Sequence, residues 1–150
     1  MRITIVLIGI LSNIWLLPIY GINFSMKKAP MKTYNQNIVE LAKKNTNFRQ
    51  EVVTGPHSQI VLMSVPVNED IGLETHKVDQ TLIFVEGTGK AVLNSIESEI
   101  KPGHLVFVPA GTQHNFINTG KSPLKLFTIY APSQHKPGTL EKTKSNSSYE

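Results

Sequence analysis

The chain has no cysteine. That excludes a disulfide framework, a thiolate zinc site, a cysteine nucleophile and a lipid-modified cysteine anchor. It does not fix the compartment, because disulfide-free proteins occur on both sides of a membrane. Charged residues are only 17% of the 150, with a formal net charge of +4. Much of that excess lies early, at Lys27, Lys28, Lys32, Lys43, Lys44 and Arg49, opposed there by Glu40. From Gly55 to Pro132 both signs mix, and no basic stripe alternates with aromatics as a nucleic-acid surface requires. Nucleic acid is therefore not expected as a partner. Internal repeats are also missing, which favours one domain, and the length suits one core.

Between Arg2 and Lys27 there is no charged residue at all. The stretch "MRITIVLIGILSNIWLLPIYGINFS" reads as a signal peptide or an anchor, with membrane contact confined to residues 3–24. The alternative is an over-extended start, with translation beginning at Met26 or Met31. Export or anchoring follows from the first reading and a cytoplasmic protein from the second. Residues 1–25 stand apart from the fold on either reading.

The rest divides into a lead-in (26–57), a barrel (58–132) and a polar tail (133–150), of which the last ten residues are expected to fray. In "NQNIVELAKK" the apolar positions predict a short amphipathic helix over Asn35–Lys44, its lysines near the C-terminus where cations are favoured. Beyond it the rhythm changes to short runs rich in Val, Ile and Phe, punctuated by Gly and Pro. "QIVLMSV", "ETHKVDQTLIFV", "KAVLN", "SEI", "HLVFV", "HNFIN" and "LKLFTIYAP" predict an all-β antiparallel sandwich or barrel.

Side chains two or four apart along a strand share a face. In "LETHKVDQTL" this puts Glu74, His76 and Gln80 on one face, with Lys77 and Asp79 on the other. His114 opens another strand after the Pro109–Ala110–Gly111 turn and offers a second imidazole. Two histidines and a carboxylate form a set that holds divalent metals with positions left open. Nitrogen and oxygen ligands without thiolate point to iron, manganese, nickel or zinc. Spacing alone leaves the plainer alternative open, in which each is a surface or hydrogen-bonded side chain and a bulge breaks the register.

The series Gly103, Pro109, Gly111, His114 and Asn118, at its fixed spacings, resembles the second motif of the cupins. The first cupin motif, His-x-His followed by Glu and Gly, falls here on Glu74, His76, Gln80 and Gly87. The chain thus resembles a small single-domain cupin over Ser58–Pro132, and "DIGLETHKVDQ" with "HNFINTG" looks most like the mannose-6-phosphate-isomerase-like group. The resemblance implies a double-stranded β-helix of the jelly-roll kind and one divalent metal held by His76, His114, Gln80 and Glu74. It departs from the pattern twice: Glu74 stands for a histidine and Gln80 for the glutamate, which keeps one carboxylate in the set.

The function expected is a metal-dependent small-molecule enzyme of isomerase or oxygenase type on a sugar-like or carbonyl or carboxylate substrate, with Glu74 as base or ligand. The alternatives are a non-catalytic module binding a sugar or small anion, and a metal-free structural dimer. Homodimerisation is expected from the resemblance. Asn118 is expected to bond the turn near Gly120, and Gly87, Gly89, Gly103 and Gly111 to serve turns with unusual backbone angles. His57, His104 and His135 are expected to face solvent. Phe84, Phe107, Phe116, Leu126 and Tyr130 are expected in the barrel core or at a dimer face.

Overall fold

The computed structural model describes residues 33–146. The apolar stretch 1–25, with its signal, anchor or start-site readings, lies outside the described residues, as do 147–150. Among the described residues no helix is long and apolar enough to cross a membrane.

Helix α1 (Ile38–Lys44) begins later than the apolar pattern predicts. Asn37 explains the start, since its side chain accepts from the Glu40 N–H at 3.2 Å and so caps the helix. Lys43 and Lys44 occupy the last turn. The strands follow as β1 (Arg49–Thr54), β2 (Gln59–Val65), β3 (Glu74–Thr75), β4 (Asp79–Glu86), β5 (Gly89–Leu93), β6 (Ile96–Ile100), β7 (Leu105–Val108), β8 (Gln113–Asn118), β9 (Leu124–Ala131) and β10 (Leu140–Glu141). Every pairing is antiparallel. They form a six-stranded sheet ordered β10-β1-β2-β9-β4-β7 and a four-stranded sheet ordered β3-β8-β5-β6. The all-β expectation is met.

The apolar core lies between the sheets and includes Val61, Met63, Leu82, Phe84, Ala91, Phe116, Leu126 and Tyr130. On β4 the alternation is strict, with Gln80, Leu82 and Phe84 buried, and the Phe84 and Phe116 rings meet at 5.6 Å between centroids. Phe107 lies outside the core, which leaves the dimer face of its two expected places. It points outward from β7, 52% exposed, beside Leu105 at 61%.

Four expectations are corrected by the fold. "ETHKVDQTLIFV" is not one strand: β3 pairs with β8 in one sheet and β4 with β7 and β9 in the other. The chain turns that corner at His76–Val78, where the His76 carbonyl accepts from Gly111 N at 2.8 Å. "SEI" belongs to a longer strand, β6, joined to β5 by Asn94 and Ser95, both with positive φ. That is the backbone requirement of a tight type I′ hairpin turn. The sheet reaches outside 58–132, because β1 and β10 both belong to it. Of the last ten residues, expected to fray, Glu141 is instead buried on β10, and the segment leading to it is docked. Buried Gln59 donates to the His135 carbonyl at 2.7 Å and accepts from its N–H at 2.9 Å, and Glu51 accepts from Gly138 N at 3.0 Å.

Candidate metal centre

Glu74 and His114 are direct neighbours across the β3–β8 pair. His76 follows β3 at the corner between the sheets. One ligand atom each from Glu74, His76 and His114 lies within 4.8 Å of the others. Glu74 is partly buried and both histidines are buried. Parity had put Glu74 and His76 on one face with Gln80, and His114 was expected from another strand; Glu74, His76 and His114 come together here although no single regular strand produces it.

The turn before β8 aims His114. Gly111 takes φ +82°, a conformation glycine adopts without strain, and Thr112 N donates to Pro109 O at 3.1 Å. Exposed Asp79 closes the turn from outside, accepting from Ala110 N at 2.9 Å. Within β8, His114 Nδ1 stands 2.9 Å from the Thr112 carbonyl. A carbonyl can only accept, so Nδ1 carries the proton and Nε2 presents its lone pair. This is the second contact by which a ligating histidine is ordinarily oriented.

Neither His76 Nε2 nor His114 Nε2, both buried, has a hydrogen-bond partner. His76 Nε2 approaches Glu74 Oε2 at 3.3 Å, outside hydrogen-bond geometry. Unpartnered buried polar atoms are costly, and two imidazole lone pairs beside one carboxylate suit a divalent cation. Gln80 contributes a third such atom: its Nε2 donates to the Tyr130 hydroxyl at 3.1 Å, and its buried Oε1 has no partner. Tyr130 lies directly opposite Gln80 across β4–β9 and sets its ring edge-on to His76, 5.6 Å between centroids. The donor set fits the metal that the sequence motifs imply.

Protonation states agree with that fit. Burial raises the Glu74 carboxyl, but the His76 contact and the nearby positive charge, that of Arg49 first, outweigh it and hold Glu74 below its ordinary value. Burial lowers His114, and the Thr112 carbonyl and Glu74 offset this only in part. An ionised carboxylate and a neutral imidazole are the forms that ligate. Burial also raises the Tyr130 hydroxyl, keeping it protonated.

Sequence reading missed Arg49, grouped above with the early lysines. It is 2% exposed and pairs with Glu74 at 3.2 Å and Glu141 at 2.8 Å. Its partners lie 25 and 92 residues away, so no local pattern marks it. His135 also departs from expectation: its ring packs edge-on against Tyr130 at 5.1 Å. His57 is exposed, as foreseen, and His104 half-buried.

The family model described as "Cupin domain" matches residues 61–130. The uncharacterized protein YrkC of Bacillus subtilis is 40% identical over 131 residues, covering 83% of this chain and 70% of that protein. The uncharacterized protein L612 of Acanthamoeba polyphaga mimivirus is 36% identical over 115 residues, 73% of this chain and 72% of that one. Among solved structures, BH2720 from Bacillus halodurans superposes with a TM-score of 0.76 at 41% identity, over 79% of this chain and 95% of that chain. An RmlC-like cupin with a double-stranded β-helix fold from Methanocaldococcus jannaschii matches at TM-score 0.57 and 20% identity, over 70% of this chain and 94% of that chain, a likeness of fold.

Proposed function

This chain belongs to the cupin family, and from that premise we propose that it is a metal-dependent small-molecule enzyme of isomerase or oxygenase type. Its substrate would be sugar-like or bear a carbonyl or carboxylate, in keeping with the resemblance to the mannose-6-phosphate-isomerase-like group. The observation that carries the reading is the cluster of Glu74, His76 and His114, whose ligand atoms lie within 4.8 Å of one another while both Nε2 atoms are buried without a hydrogen-bond partner. Glu74, His76 and His114 would hold one iron, manganese, nickel or zinc ion, with Gln80 Oε1 as a fourth, neutral donor. When bound, such an ion supplies a Lewis acid that polarises a substrate oxygen.

The protein's own part is to orient and to manage protons. Tyr130 accepts from the Gln80 amide and thereby directs which end of that amide is left for the site. Glu74 is better suited to ligation than to proton abstraction, because the contacts that lower its proton affinity make it a weak base. That favours the oxygenase side of the proposal, where no strong base is asked of this carboxylate. The exposed Leu105 and Phe107 on β7, an outermost strand of its sheet, support a homodimer formed on that face.

The test is metal content by mass spectrometry on protein purified without chelator or metal-binding tag, beside a His114→Ala variant. Near one equivalent in the parent and loss in the variant is expected. No metal in either, even after reconstitution, overturns the proposal in favour of a non-catalytic module binding a sugar or small anion.

A further inference from the structure

Arg49 joins the candidate metal centre to the last strand of the sheet. Its Nη1 donates to Glu141 Oε2 at 2.8 Å and its Nη2 to Glu74 Oε1 at 3.2 Å. Glu141 sits on β10, directly opposite Arg49 across the β1–β10 pair. The two oxygens of Glu74 are thereby divided, Oε1 toward Arg49 and Oε2 toward His76 Nε2 at 3.3 Å. A guanidinium presents its donors in a rigid planar fork, so fixing one end with Glu141 fixes what the other end offers Glu74.

We propose that Arg49 and Glu141 are positioning residues for the metal centre: Glu141 clamps Arg49, and Arg49 holds Glu74 so that Oε2 alone is offered to the ion. The inference rests on the metal-binding reading above. Charge and geometry predict the same sign. Without the Glu141 charge, Arg49 is left less neutralised beside the cation site and draws more strongly on Glu74, and both effects weaken metal binding. Outer partners of ligating carboxylates commonly contribute roughly 10–100-fold in affinity. Coupling is reciprocal, so a bound ion must also strengthen the docking of β10.

The experiment uses the full chain and a Glu141→Gln variant, which keeps shape and loses charge. Zn²⁺ affinity is read by chelator competition, the Co²⁺ form by its visible absorption, and hydrogen exchange at Leu140–Glu141 with and without Zn²⁺. Expected are affinity about tenfold or more weaker in the variant, an altered Co²⁺ spectrum, and Zn²⁺-dependent slowing of exchange at Leu140–Glu141 in the parent. Unchanged affinity and spectrum in Glu141→Gln, with faster exchange at Leu140–Glu141, would mean that the pair only pins β10 to β1, and the proposal falls. Should the variant not fold, the parent decides, since exchange there that ignores Zn²⁺ also overturns it. A parent that binds neither ion overturns the metal site itself along with this inference. Binding that is lost in His114→Ala but untouched in Glu141→Gln overturns the positioning role alone.

Discussion

Replacing Asn118 with alanine separates a structural motif residue from a ligand-binding one. Asn118 is buried at the end of β8, and its amide serves three backbone groups at once. Nδ2 donates to the carbonyls of Val65 and Ser122, each at 2.9 Å, and Oδ1 accepts from Gly120 N at 2.9 Å, the turn contact foreseen from the sequence. The bond to Val65 is fully buried and the other two partly so. A buried acceptor left alone costs about 1–3 kcal/mol, whereas groups that water can reach lose nearer 0.5–1 kcal/mol each. Asn118→Ala should therefore lose about 2–5 kcal/mol, which at a mid-range urea sensitivity of about 2 kcal/mol per molar moves the midpoint down by roughly 1–2.5 M.

The site should not notice the change. Four residues of strand separate Asn118 from His114, about 13 Å along β8. Metal content per folded protein should equal the parent's. Asn118→Asp should be at least as damaging, since it removes both donations and turns a buried carboxylate toward two carbonyls. Urea unfolding followed by far-UV circular dichroism, with metal analysis on the same samples, measures both quantities. A loss under about 1 kcal/mol together with a fall in metal content would refute the structural reading and move Asn118 into the site.

Phe107→Glu places a charge in the exposed apolar pair on β7 and should convert a dimer to a monomer of unchanged circular dichroism. Sedimentation velocity reads this directly, and a monomeric parent would end the dimer proposal. Gly89→Ala should destabilise although Gly89 has no left-handed backbone: a Cβ there would lie 2.2 Å from the Ile117 carbonyl oxygen. The strand pair β5–β8 must open to admit it, and overpacking of this kind costs about 1–3 kcal/mol. A urea midpoint equal to the parent's would show that the pair yields more easily than this contact implies.

Gly89 also shows where sequence reading stops. Its place in "EGTG" suggested a turn angle, which Gly87 does adopt at φ +79°, but Gly89 is needed for close approach to a strand distant in sequence. The strands themselves were legible because Val, Ile and Phe runs between Gly and Pro turns leave few alternatives. Inside and outside were less so: in "HLVFV" both alternating sets are apolar, so period two cannot decide between Phe107 and Val108. The docked segment after Pro132 was hidden because buried Gln59 holds it through backbone atoms, which carry no compositional signal. His114 was legible through its long fixed-spacing motif.

The two departures from the usual cupin pattern are better understood as one relocation of charge. A glutamate at position 80 would sit on a buried stretch of β4 where the side-chain contact described for Gln80 is the Tyr130 hydroxyl, so apart from the ion itself no cation would offset its charge. The glutamine found there instead gives its amide proton to Tyr130 and keeps an oxygen in reserve. At position 74 the carboxylate meets Arg49, whose second carboxylate partner, Glu141, prevents the local charge from becoming positive. A histidine at 74 would leave Arg49 without one of these two carboxylates. Each residue type thus matches the neighbours of its own position, and the pair keeps a single carboxylate beside two imidazoles. Burying one paired carboxylate is far less costly than burying an isolated one, which is why the exchange is compatible with a retained cation site.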